Sequence, residues 1–229
     1  VDEPGARDVG RIVLYRLADR KRVDVTSARY PGRSPVFSPD GKWLWFVGDR
    51  TLVAQPGNPW GDRNMGPAFD KRGKFYAVAL QPGLRFPFQP KDELEGAKPA
   101  GPPASKPAKE GSDAKAATQD EAAARAAPGN PKVPAIAWEG LAGRLFEAPL
   151  PAGNLAAIAT NGKRLWWLET DGSTEGKGVL RSAALDNLGV PPETLLADVR
   201  EFALSADGRK LLVRKWVAPG AGAGDLYLV

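Results

Sequence analysis

Val36-Phe37-Ser38-Pro39-Asp40-Gly41-Lys42-Trp43-Leu44-Trp45-Phe46 is the stretch on which the reading of the fold turns. Apolar residues lead into a Ser-Pro-Asp-Gly tetrapeptide, and an aromatic-rich run leaves it. Asp-Gly between apolar runs is a hairpin signal, because Gly tolerates the positive φ that tight turns need. The aromatic residues that follow suit a pleated, half-buried surface. The unit therefore reads as an inner strand, a tight turn and a second strand.

Three more segments follow the same pattern. They are Ala68-Phe69-Asp70-Lys71-Arg72-Gly73-Lys74-Phe75-Tyr76-Ala77-Val78, Ile158-Ala159-Thr160-Asn161-Gly162-Lys163-Arg164-Leu165-Trp166-Trp167, and Phe202-Ala203-Leu204-Ser205-Ala206-Asp207-Gly208-Arg209-Lys210-Leu211-Leu212-Val213. The central glycines are separated by 32, 89 and 46 residues. The long interval holds a foreign segment, residues 91–131, with 12 Ala, 6 Pro, 4 Gly and 13 charged residues and no aromatic. Such a composition buries too little apolar surface to offset its ordering entropy, so the segment is expected to be a mobile inserted loop. Glu121-Ala122-Ala123-Ala124-Arg125-Ala126-Ala127 within it suits a short helix. Without those 41 residues the interval shrinks to 48, close to the next. A repeat in the forties carrying four short strands is the signature of a propeller blade.

The remaining strands are expected at residues 11–17 and 22–26 (a hairpin), 135–138, 144–149, 179–184, 194–197 and 225–229. The fold class is all-β: a partial propeller of about four four-stranded antiparallel blades over residues 1–229. The chain opens with the two outer strands of one blade and stops in the middle of the last. It is accordingly expected to be part of a longer propeller, because an open arc leaves sheet edges unpaired. The alternative is a small domain that joins its own ends.

Composition narrows the chemistry. Cys and His are both absent. This excludes disulfides, Cys/His zinc sites and every Ser–His or Cys–His catalytic pair confined to these residues. None of the eight Ser lies in a Gly-x-Ser-x-Gly elbow. Lys and Arg number 32 against 27 Asp and Glu, with both signs interleaved. A nucleic-acid surface concentrates its cations, so no nucleic-acid partner is expected. No stretch is long and apolar enough to span a bilayer, and residues 1–8 do not read as a signal peptide.

Asp40, Asp171 and Asp207 stand beside glycines, but none offers the several oxygen ligands of a calcium loop, and turn chemistry accounts for them. No metal or cofactor is expected. Trp43, Trp45, Trp166 and Trp167 read as packing between blades. Adjacent Trp166 and Trp167 point to opposite faces of a strand, so one is expected in the core and the other exposed. Arg144, Arg164 and Arg200 have the chemistry to hold a peptide carboxylate in a central channel. Ordinary ion pairing competes for all three, and an inner-strand position favours Arg200. Trp60, in Asn58-Pro59-Trp60-Gly61-Asp62, is the candidate exposed aromatic. Arg200 and Trp60 are thus the candidate peptide-binding residues.

Phe75-Tyr76-Ala77-Val78-Ala79-Leu80, followed by Arg85-Phe86-Pro87-Phe88-Gln89-Pro90 and Lys91-Asp92-Glu93, resembles the second propeller of the tricorn-type serine peptidases. There a similar strand leads into a Ser-Pro-Phe motif and an acidic, variable loop. Ile136-Ala137-Trp138-Glu139-Gly140-Leu141-Ala142-Gly143-Arg144 resembles the family's Ile-Asp-x-x-Gly-Ile/Leu-x-x-Arg stretch, and Leu150-Pro151-Ala152-Gly153-Asn154 its Pro-Ala-Gly turn. Phe86 stands where the family usually has Ser, and Ala137 where it usually has Asp. The resemblance implies a non-catalytic segment of a multidomain peptidase. In it, propellers gate or channel peptides to a serine catalytic domain outside this chain, beyond a PDZ-like module. Peptide substrates and the remainder of the parent are the implied partners, an oligomer is compatible, and the cytoplasm is favoured over the periplasm. The alternatives are a TolB-like, non-enzymatic protein-binding propeller and the gating propeller of a prolyl-oligopeptidase-type enzyme.

Overall fold

The computed structural model describes residues 10–27, 29–54, 69–90, 134–170, 177–218 and 224–229. One compact unit is built from residues 1–89 and 133–229. It is all-β, with antiparallel pairing throughout. Among the described residues, helical geometry is confined to a 3-10 turn at Leu141–Arg144, and no helix is long and apolar enough to cross a membrane.

The strands follow the propeller order. β1 (Val13–Arg16) pairs with β2 (Lys21–Asp24) as the expected opening hairpin. A four-stranded blade follows, made of β3 (Gly32–Phe37), β4 (Trp43–Asp49), β7 (Gly73–Ala79) and β8 (Leu145–Glu147). The short β5 (Val53–Ala54) and β6 (Phe69–Asp70) extend the hairpin between β4 and β7. The next blade comprises β9 (Leu155–Thr160), β10 (Arg164–Thr170), β11 (Gly178–Ala184) and the first half of β12 (Glu193–Leu204). The second half of β12 then serves as inner strand to β13 (Leu211–Lys215) and β14 (Leu226–Leu228).

Three hydrophobic cores lie between blades rather than within a sandwich. Leu44 and Phe46 of β4, with Tyr76 and Val78 of β7, pack on Ile12, Leu14 and Val25 of the opening hairpin. Trp43, Trp45 and Val47 project from the other face of β4. They join Phe75, Leu155, Leu165 and Trp167 in the second core. Trp166, Leu168 and Leu180 meet Val199, Leu211 and Val213 in the third. Because successive side chains on a strand alternate faces, a strand with blades on both sides is apolar at every position. That is why Leu165-Trp166-Trp167-Leu168 has no polar residue and is buried throughout. The expectation that one ring of the Trp166–Trp167 pair is exposed is corrected: Trp166 is 8% exposed and Trp167 2%. Phe75 and Trp167 meet edge to face across the interface, with ring centroids 4.9 Å apart.

Two blade turns share one design. Ser38 Oγ donates to Asp40 Oδ1 (2.5 Å) and accepts from the Trp43 amide (2.9 Å), while Asp40 Oδ1 also accepts from the Lys42 amide. Ser205, Asp207, Arg209 and Lys210 repeat these contacts. Gly41 and Gly208 both take φ 67, in the left-handed region. At the third turn Asn161 Oδ1 accepts from the Lys163 and Arg164 amides, and Gly162 takes φ 83.

Gly73 does not mark a blade turn. It begins β7, and β7 pairs with β4 over its full length, Trp43 opposite Ala79 and Asp49 opposite Gly73. The residue turned into the left-handed region is Lys71, at φ 49. Two strand expectations also change. Residues 135–138 are not a strand: Ala137 N–H bonds Leu80 O, and the chain then closes into the 3-10 turn. The strand expected at 194–197 is continuous with the inner strand after it, so β12 serves two blades. Core residues from β10 and β11 pack on those of β12 and β13, so the sheet must fold along β12. Asp198 there takes φ 53, and the register with β13 slips between Val199 and Glu201. The Phe86 departure has a packing reason: its ring stacks on Phe146 (5.0 Å) and lies edge-on to Trp43 (5.6 Å). The insertion (residues 91–131), the helix expected within it, Trp60 and Asp171 lie outside the described residues.

Candidate functional site

A polar cleft forms where the hairpin between β4 and β7 meets the next blade. Gly73 and Gly153 exchange two backbone hydrogen bonds, each 3.0 Å. A Cβ on Gly73 would lie 2.9 Å from Gly153 O, so this approach needs glycine. The bridge docks the Pro-Ala-Gly-Asn turn and aims Asn154, whose Nδ2 donates to Asp70 Oδ1 (3.0 Å). Thr170 closes the far side, its amide and hydroxyl both donating to Asn154 O. Glu169 on β10 and Arg181 on β11 are diagonal neighbours across the ladder, with Nε 2.7 Å from Oε2. With Lys71 and Val179 these residues line a cavity of about 260 Å³.

Two carboxylates, two cations and a carboxamide offer hydrogen bonds of both senses, which suits a polar, peptide-like ligand. Among the described residues the hydroxyl of the cleft, on Thr170, donates to the Asn154 carbonyl rather than to a carboxylate. Among the described residues no cluster of three or more Asp or Glu is placed to hold a metal ion.

Of the arginines singled out by sequence, Arg200 lies on the inner half of β12. It is exposed and is the extra residue where the register slips between Val199 and Glu201. Bulges on inner strands re-aim side chains. The other inner strands are irregular too, with φ 53 at Ser34 on β3 and φ 42 at Ala157 on β9. Arg144 and Arg164 go elsewhere. Arg144, in the 3-10 turn, donates from Nη2 to Ala137 O, so positions 137 and 144 of the resembling motif meet through a backbone carbonyl. Arg164, on the second strand of its blade, donates to Ser182 Oγ (3.2 Å) and Glu193 Oε2 (3.1 Å). Arg33 ties two inner strands together. It pairs with Asp49, and its Nη2 donates to Leu155 O at 3.2 Å.

A second charged group sits on β7 and β8. Glu147 accepts from Lys74 Nζ (2.5 Å) and from Tyr76 Oη (3.0 Å), while Arg50 lies 4.6 Å from the Tyr76 ring centroid. The bond from Lys74 holds the Glu147 carboxyl below its usual range. Burial, with Glu147 alongside, pushes the Tyr76 phenol up to about 12. Tyr76 therefore stays a neutral donor at physiological pH, which gives the group a structural role.

Sequence reasoning passed over Glu169 and Arg181, and treated Asp70 as part of a repeat turn. The signal that would find the cleft is the register of β10 against β11, which a single sequence does not print.

No family model matches the chain, and no curated protein matches it. Among solved structures it is similar to the tricorn protease, with a TM-score of 0.61 and 17% identity, covering 96% of this chain and 18% of that one. A puromycin-hydrolyzing peptidase of Mycobacterium tuberculosis aligns with a TM-score of 0.48 and 18% identity, over 97% of this chain and 26% of that one. The chain thus spans under a fifth of the tricorn protease's length. Its fold is that of a tricorn-like β-propeller segment.

Proposed function

We propose that this chain is a non-catalytic propeller segment of a tricorn-like serine peptidase, gating or channelling peptides to a catalytic domain outside residues 1–229. The observation that carries the reading is the tricorn-like arrangement of radial blades over 96% of the chain. Two features fit peptide handling: the irregular inner strands with exposed Arg200, and the polar cleft around Asn154 and Arg181. The absence of His and of a nucleophile elbow fits catalysis elsewhere. Residues 91–131 are in this reading a loop inserted between the third and fourth strands of one blade.

The test is made on the whole parent protein. The reading predicts a serine nucleophile motif in the parent beyond this segment. It also predicts that Arg200→Glu lowers kcat/KM for peptides about tenfold or more while small ester substrates are turned over normally. A parent with no peptidase sequence, holding a stable protein partner in native pull-down, would instead mark a TolB-like binding propeller.

A further inference from the structure

The blade turns place Asp40-Gly41, Asn161-Gly162 and Asp207-Gly208 between the first and second strands of their blades. Asn161-Gly162 differs from the other two in chemistry and in reach. Asn161 Nδ2 donates to Gly208 O in the turn of the next blade, at 3.1 Å and 47 residues away in the chain. The two turns are closely packed there: a Cβ on Gly208 would lie 2.8 Å from Asn161 Cβ. An ionised Asp side chain has no hydrogen to donate, so this bond between blades requires the carboxamide.

The same dipeptide is chemically labile. In Asn-Gly the glycine backbone nitrogen attacks the Asn Cγ with no Cβ to hinder its approach. The Gly162 N–Cγ bond forms, the Cγ–Nδ2 bond breaks, and ammonia leaves with the proton of the Gly162 amide. The resulting five-membered imide takes up one water and opens to aspartate or isoaspartate. The net change is therefore amide plus water to carboxylic acid plus ammonia. In the folded chain the reacting groups are all engaged. Asn161 Oδ1 accepts from the Lys163 amide (3.0 Å) and the Arg164 amide (2.9 Å), and Gly208 O holds Nδ2. The Gly162 amide donates to the buried Thr160 Oγ1 (3.0 Å).

We propose that Asn161 is a site of spontaneous deamidation held in check by the contact between these two blade turns, and that it reacts when the turns part. The product does not restore the bond. A carboxylate at position 161 meets Gly208 O with nothing to donate, and isoaspartate adds a methylene to the main chain of the turn. Deamidation thus makes the parting of the two blades one-way. The inference stands apart from the peptidase reading, because its only co-reactant is water and it needs no catalytic domain.

The experiment follows deamidation at neutral pH by peptide mapping with mass spectrometry, in the full chain and in a synthetic peptide of residues 158–165. Asn161 in the folded chain is expected to react at least about tenfold more slowly than in the peptide, because several hydrogen bonds must open together first. Gly208→Ala tests the contact itself, since its methyl presses on Asn161. It is expected to raise the folded-chain rate about fivefold or more. Gly41→Ala carries the same backbone cost, with φ 67 at both glycines, in a turn that does not bond Asn161, and leaves the rate unchanged. Asn161→Asp should shift the unfolding equilibrium about five- to tenfold toward the unfolded chain, the scale of one lost hydrogen bond. Equal rates in folded chain and peptide, equal effects of the two alanine variants, or an Asn161→Asp chain as stable as wild type would overturn the proposal.

Discussion

The turn at Gly41 and the turn at Gly73 look alike in sequence, each a Phe, an Asp, a Gly and a Lys before an aromatic run. They have different work. Gly41 supplies a backbone conformation, φ 67, inside a turn closed by Ser38 and Asp40. Gly73 is a strand residue that supplies space: its neighbour across the blade interface is Gly153 O, and the left-handed backbone falls on Lys71 instead. One glycine is required by local geometry and the other by a contact 80 residues away in the chain. Only the first kind can be read from neighbouring residues.

Substitutions at the two glycines should separate these causes. Gly73→Ala has the largest expected effect, a loss of about 2–3 kcal/mol in denaturant unfolding, because the added methyl pushes against a backbone carbonyl and parts the Gly73–Gly153 bridge. Asn should be worse there than Ala. At Gly41 the order should invert: Ala loses about 1–2 kcal/mol to the left-handed φ, and Asn loses less because it tolerates that region. The same ranking of Ala and Asn at both sites would break the distinction.

Ser38→Ala should lie near the Gly41 variants, at about 1–2 kcal/mol, since it leaves the buried Trp43 amide without its acceptor. The segment leading to Gly73 has no such serine, so Asp70→Ala should cost less in the same unfolding assay. Smallest is an acid-side effect at Asp207. Its carboxyl is held below the usual value of 3.8, first by the Ser205 hydroxyl and then by the Arg209 amide. A depressed folded-state pKa stabilises above the unfolded value and is lost as pH falls through the folded one. The stability difference between wild type and Asp207→Asn should be constant from pH 7 to about 5 and shrink below 3.8.

Much of the architecture was legible because it is local. The Ser38, Asn161 and Ser205 turns declare themselves by their Asp-Gly or Asn-Gly pairs. β13 and β14 show the contrast. Leu212, Leu226 and Leu228 are 45%, 65% and 66% exposed, because no described residue covers that face of the sheet. What stayed illegible depends on register. The continuity of β12, the bulge that exposes Arg200, and the meeting of Asn154, Asp70, Glu169 and Arg181 all follow from which residues pair across strands. That both rings of the Trp166–Trp167 pair are buried was missed for the same reason: the blades that cover the two faces of β10 are distant in sequence.

The central claim is that β4 and β7 are the second and third strands of one blade, with Gly73 at their far end. Cross-strand nuclear Overhauser contacts in the isotope-labelled chain test it directly. The account predicts contacts between Trp43 and Ala79, Trp45 and Ala77, and Val47 and Phe75, following the register of the pair. Contacts joining Ala68 and Phe69 to Phe75 and Tyr76 across Gly73 would make that glycine a blade turn after all, and would contradict this assignment of strands to blades.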